Sequence, residues 1–509
     1  MGIVARQSIK GTIVTYIGVA VGIITTFFIQ TKVLEAEQIG LIEVLLQCAI
    51  LFSGIAQLGT TSSAMRYYPF FKDEESRDHG FFGWTLLVPL VGFLVFLAVF
   101  FLFKDSIVAS FSKDSPIFSE YVYFVIPLAF FMLYISVFET NSNLLLRIVV
   151  PKIIREVGLR VMVLLTYLLY AFKVISFDGV IISFCVFYGL ATLVNIVYLL
   201  RLKRVSFKIE KGFVTPKLKR DFIFYTLFMI TAALAGNVMP MLSKFFVAAK
   251  ESFHLAGVFT IATNIAALVE MPYRSLGAIS RPHISHAIAH NDIHGADEVC
   301  KSVGLHQFLV GAFIFFLIWI NIDLIFSILP NGEIYRDGKW VVFILGMSRL
   351  VYSTCGIGAT VLSYSKFYYF SLIFTVIMTV SSIMLNNYLI PIWGINGAAM
   401  ANLLSYTLYF ILLLGFVKWR VGTSPFSLKQ LLVLGIIVVL FGMDWLWSTL
   451  LTPVFAQIGS KSIYGLLLDG ALKSCLFLAL GCVAVYKIRL SQSVNEMIDR
   501  AMGKLKIGG

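Results

Sequence analysis

The chain has 509 residues, of which 59% are hydrophobic and only 13% charged, with a mean hydropathy of +0.90. This excludes a soluble globular protein: apolar runs of about 20 residues, each enough to cross a bilayer core, recur from residue 9 to residue 487. The formal charge of +13 would suit nucleic acid, but the basic residues lie in short connections between apolar runs, so they report topology and no nucleic-acid partner is expected.

In chain order the runs predict about fourteen helices, near 9–30, 41–65, 82–103, 121–146, 153–172, 176–200, 222–247, 255–279, 305–329, 340–364, 367–390, 394–417, 429–450 and 463–486. The fold class is therefore an all-α polytopic membrane protein. A β-barrel needs alternating apolar and polar positions, and the run LLVPLVGFLVFLAVFFLF at 86–103 is apolar throughout. With a cytoplasmic N-terminus, most of the 40 Lys and Arg fall on the cytoplasmic side, which also puts the C-terminus there. The first run lacks a cleavage site and is expected to remain as helix one. The densest basic stretch, 201–220, is expected to anchor on anionic membrane lipid or to dock a cytoplasmic partner. The six cysteines are scattered and read as packing residues.

A weak internal repeat organises the chain. TTFFIQTKVLEAEQIGLIEVL at 25–45 matches LSKFFVAAKESFHLAGVFTIA at 242–262; each has a Phe pair at a helix end and a Gly, Gly40 or Gly257, opening the next helix. Gly179 and Gly397 likewise open corresponding runs. Two six-helix lobes in parallel orientation follow, an architecture of alternating access. The predicted boundaries are 1–204 for the N-terminal lobe, 205–221 for a basic linker, 222–420 for the C-terminal lobe, and 421–509 for helices thirteen and fourteen with a cytoplasmic tail.

Three segments carry a resemblance. GIAQLGTTSSAMRYYP at 54–69, AEQIGLIEVL at 36–45 paired with LAGVFTIATNI at 255–265, and WGINGAAMANLLSY at 393–406 resemble bacterial polysaccharide flippases of the O-antigen type. These belong to the multidrug/oligosaccharidyl-lipid/polysaccharide exporter superfamily. The resemblance implies movement of undecaprenyl-pyrophosphate-linked oligosaccharide from the inner to the outer leaflet of the bacterial cytoplasmic membrane. It implies no ATP hydrolysis by the flippase itself, and partnership with membrane lipids and other polysaccharide-assembly proteins.

Charges at membrane depth cost roughly 2.5–3.5 kcal/mol each, so those present are candidates for function. Arginine suits a pyrophosphate because its planar fork donates two hydrogen bonds and never deprotonates. Arg66, Arg274 and Arg349, with Lys244 as a weaker fourth, are the expected headgroup path; the alternatives are snorkelling for Arg66 and Arg274 and a buried carboxylate partner for Arg349. Glu139 and Glu270 are candidates for coupling to a proton or Na⁺ gradient. Glu270–Arg274 and Asp469–Lys473 stand four apart; neutralisation along the helix is expected for Asp469–Lys473 and is the alternative to a coupling role for Glu270. His283, His286, His290 and His294 fall on one face if their segment is a single helix, read as an amphipathic surface helix without a metal.

No enzyme is expected. NGEIYRDGKW has one residue too many between Gly332 and Gly338 for a phosphate loop, and Trp340 stands where Ser or Thr is needed. The outer connections are all short, which leaves no acceptor domain for a sugar polymerase or ligase. No metal and no catalytic residue is assigned, and no cofactor is expected beyond the coupling ion. The competing readings are a multidrug or cation antiporter of the same superfamily and a lipid II flippase.

Overall fold

The computed structural model describes residues 3–73, 78–111, 117–202, 241–453 and 463–490, together with pieces of one to three residues within 216–226 and 495–499. The basic linker 205–221 and most of the predicted seventh helix lie outside the described residues. The longer helices are α1 (Ile3–Ile24), α2 (Ala36–Ala56), α3 (Thr60–Phe71), α4 (Phe81–Phe111), α5 (Val125–Leu144), α6 (Leu159–Ala171), α7 (Phe177–Arg201), α8 (Phe253–Ala266), α9 (Met271–Ala289), α10 (Ile293–Ile320), α11 (Lys339–Tyr364), α12 (Phe370–Arg420), α13 (Leu428–Leu450) and α14 (Ile463–Ile488). Eleven helical stretches among the described residues are long and apolar enough to span a bilayer. The protein is an all-α, multi-pass membrane protein.

Several elements depart from the predicted spans for local reasons. The second span is not one straight helix. Leu58 (φ 47°) and Gly59 (φ 68°) enter the left-handed region, which ends α2 and lets α3 restart in a new direction. The fifth is interrupted by a π-helical turn at Ile154–Gly158, and α1 runs into another at Thr25–Gln30. The ninth begins about a dozen residues early because Asp292 caps it, its carboxylate accepting from the Gly295 N–H at 2.9 Å.

α12 is nominally 51 residues long but is a hairpin. Gly394 has φ 54° and ψ −134°, outside the helical region. A Cβ on Gly397 would lie 2.1 Å from the Leu389 carbonyl oxygen, eight residues back, where a straight helix would put about 12 Å of rise between them. Phe370 and Phe374 pack against Phe416, tilted and edge-on, at 4.3 and 5.6 Å between ring centres. Residues roughly equidistant from Gly394 thus meet, and the predicted break between 390 and 394 is where the chain turns.

Contacts divide the chain into two compact units, Met1–Ile261 with Thr379–Ala398, and Ala262–Met378 with Ala399–Gly509. In the first, α5 packs against α2 and α7, and Gly92 of α4 sits against the Ala56 carbonyl. In the second, α10 packs on α9, α11 and α13 around Phe315, Phe316, Val433 and Phe477. Outward-facing Leu, Ile and Val cover much of both surfaces, as expected of side chains that meet lipid.

Candidate functional site

In the first unit, Gly40, Glu43 and Gln47 follow one another at helical spacing on α2 and share a face. Gly40 packs so closely that a Cβ there would lie 2.0 Å from the Phe253 carbonyl oxygen. Gly257 packs reciprocally, its Cβ position 1.9 Å from the Ala36 carbonyl oxygen. Each glycine thus meets the residue four positions before the other, so the pair matched by the internal repeat meets about a local two-fold. Only a hydrogen fits at either position.

One turn on, Glu43 forms an ion pair with Lys244, whose side chain is 11% exposed, and accepts from Gln47 Nε2 at 2.7 Å. A carboxylate and an ammonium this deep neutralise each other, which lowers the cost of keeping both from water. Lys244, expected on the headgroup path, is therefore already paired, with a residue 201 positions away.

Arg66 lies on α3, and its guanidinium stands 4.3 Å from the ring centre of Tyr225. Beside it Tyr67 packs edge-on against Tyr225 and Phe222, and the Ser63 and Thr226 hydroxyls share a hydrogen bond of 2.8 Å. Arg66 is solvent- or lipid-accessible, and this cation–π contact leaves its hydrogen-bonding edges available. Glu139 on α5 accepts from Arg155 at 2.7 Å; Arg155 also reaches Glu156, which holds Arg160, so a chain of alternating charge runs along this side.

In the second unit, Arg349 is mid-way along α11, where the Ser348–Asn402 hydrogen bond of 2.8 Å ties α11 to the second arm of α12. Arg349 Nη1 donates to Glu270 Oε2 at 3.0 Å, and the two side chains are 16% and 12% exposed. Glu270 is thus met by Arg349 from α11; the Arg274 side chain, four residues on, lies outside the described residues. Tyr352 packs against Tyr273 and Tyr406, each at 5.4 Å, and these hydroxyls lie within electrostatic reach of Glu270.

Two further expectations are corrected. Lys473 does not pair along its own helix with Asp469. It reaches Asp444 on α13 at 2.6 Å, while Asp469 accepts from Trp447 Nε1 at 2.8 Å and Thr452 at 3.1 Å. Bonds between α13 and α14 thus replace a bond along one helix. The four histidines do not share a face: Asn291 (φ 56°) breaks the helix, and His294 begins α10, 3.7 Å from Glu298. Glu43 and Asp444 are the partners that sequence reasoning missed. Both lie inside predicted spans, and a search of those spans for every carboxylate finds them.

The family described as polysaccharide biosynthesis protein matches residues 5–288, more than half of the sequence. The chain belongs to that family. It is accordingly a member of the multidrug/oligosaccharidyl-lipid/polysaccharide exporter superfamily, and a transporter by class. Its fold is similar to that of the lipid II flippase MurJ in an inward closed conformation, with a TM-score of 0.70, 13% identity, and 93% of this chain and 98% of that one covered. It is also similar to an inward-facing multidrug resistance transporter of the MATE family (TM-score 0.59, 15% identity, coverage 77% and 92%). A third likeness is to a transporter of the same superfamily from Pyrococcus furiosus (TM-score 0.58, 13% identity, coverage 82% and 95%). At these identities the likeness is one of fold. No curated protein matches in sequence.

Proposed function

We propose that the protein flips undecaprenyl-pyrophosphate-linked oligosaccharide from the inner to the outer leaflet of a bacterial cytoplasmic membrane, for assembly of a surface polysaccharide. It works by alternating access, with two six-helix lobes over 1–204 and 222–420, both termini in the cytoplasm and no catalytic chemistry of its own. The observation that carries this reading is the family match over residues 5–288, and the sparse charge at membrane depth supports it. Arg66, Arg274, Arg349 and Lys244 make up the headgroup path in this proposal. An arginine fork fits a pyrophosphate, whereas a drug antiporter would favour unpaired carboxylates. Glu139 and Glu270 are the candidates for coupling to H⁺ or Na⁺, and the basic linker is the proposed dock for other assembly proteins.

The test is a deletion strain complemented with wild type or Arg349→Ala. The expected result is loss of surface polysaccharide with lipid-linked oligosaccharide accumulating on the inner leaflet, rescued by wild type and not by Arg349→Ala. Accumulation of lipid II instead would reassign the cargo. Normal polysaccharide with raised drug sensitivity would replace the reading with an antiporter.

A further inference from the structure

The Arg349–Glu270 pair has a donor left over. Glu270 takes Nη1, while Arg349 Nε is buried and has no hydrogen-bond partner among the described residues. A guanidinium offers pairs of parallel N–H groups along its edges, each matched to two oxygens of a carboxylate or phosphate. Glu270 occupies only one such donor, and it does so from the end of the tight turn Ala267–Glu270 between α8 and α9.

Gly311 of α10 lies beside both partners' neighbours in sequence: a Cβ there would lie 3.1 Å from the Leu350 side chain and 3.6 Å from the Val269 carbonyl oxygen. The described neighbours are Tyr273, Tyr352 and Tyr406, with Arg281 hydrogen-bonded to Tyr273, and none of these supplies a second carboxylate. Arg349 is neutralised by Glu270 without being saturated as a donor.

We propose that Glu270 is a displaceable internal counter-anion, which holds one donor of Arg349 in the absence of cargo and yields to a phosphate-class anion that takes the guanidinium through its Nε edge. The inference rests on the proposed role of Arg349 in headgroup contact; what it adds is that Glu270 competes with the anion. Two anions on one buried arginine repel each other, so whichever offers the better fit to the fork prevails. A pyrophosphate carries more charge than a carboxylate and can fill two donors at once. Cargo binding would thereby loosen the tie between the turn at Glu270 and α11.

The experiment uses the full-length protein in phosphatidylcholine nanodiscs, with inorganic pyrophosphate as probe and calorimetric titration as readout. Glu270→Gln is expected to bind pyrophosphate about tenfold tighter than wild type, within the range usual for coupling between sites. Arg349→Gln is expected to lose binding, and so is the double variant. Equal or weaker binding by Glu270→Gln, with wild-type binding intact and dependent on Arg349, would overturn the competition and leave the headgroup role of Arg349 standing. Binding indifferent to Arg349, or absent throughout, would overturn both. If Glu270→Gln does not fold, Glu270→Asp, with its shorter reach to Arg349, must shift affinity in the same direction.

Discussion

The two ends of the α2–α3 segment are fastened to later parts of the chain in different ways. At the α2 end, Gly40 and Gly257 bring main chain against main chain, and the Glu43–Lys244 pair lies beside them. At the α3 end the contact is made by side chains: the Ser63–Thr226 hydroxyl bond, the Arg66–Tyr225 cation–π contact and the edge-on ring of Tyr67. The two sets lie on either side of the break at Leu58–Gly59. A glycine contact has a single fitted geometry and admits no added atom. A side-chain contact can re-form at several rotamers and distances. The α2 end is therefore the less tolerant of added atoms, and the α3 end the more tolerant.

The sharpest way to break this comparison is to add atoms where none fit. Gly257→Val, or Gly40→Val, should destabilise the protein by about 3 kcal/mol or more, since overpacking here pushes on main chain and not on a movable side chain. Thermal unfolding in detergent measures it, and a midpoint within 1 °C of wild type would mean that the glycines do not meet. A smaller effect is expected from Lys244→Met, which leaves Glu43 with Gln47 alone. About 2 kcal/mol is a fair estimate, below the value for a fully buried pair because both side chains keep some exposure. Adding Glu43→Gln should recover most of that loss, and a double-mutant cycle reads the coupling directly. The smallest effect belongs to the α3 end. Arg66→Ala should cost about 0.5–1 kcal/mol, the worth of an exposed cation–π contact, with no change in the unfolding behaviour of the Gly257 variants. Additivity between the two ends would show them to be separate fastenings.

Much of this was legible in the residues. The matching of 25–45 with 242–262 singled out Gly40 and Gly257, and these two bring their helices into close main-chain contact. The hydropathy runs located most helices, because a bilayer demands long apolar segments with internally satisfied backbone. Breaks were harder to see. Leu58 and Asn291 take left-handed φ values that no apolar run announces, and so α3 and His294 were assigned to the wrong helix. Ion pairs were the least legible. Spacing along one helix suggested Asp469 for Lys473, yet the structure uses Asp444, and Glu270 is met by Arg349 from another helix. In a tightly packed membrane bundle a neighbouring helix brings charges closer than the next turn does, and that neighbour is set by the fold. Lys244 and Glu43, 201 residues apart, make the same point.

The reversal at Gly394 bears on how the protein is made. The two arms of α12 are joined by almost nothing: the chain turns within a few residues around Pro391 and Gly394, with no polar loop between apolar segments. During synthesis the first arm cannot settle across the membrane by itself with a hydrophilic connector trailing behind it. Both arms should leave the insertion machinery together, as a preformed pair with Phe370 and Phe374 already against Phe416. A reporter sequence placed at Trp393 should then do more harm to biogenesis than one of equal length placed in the connection after Leu450.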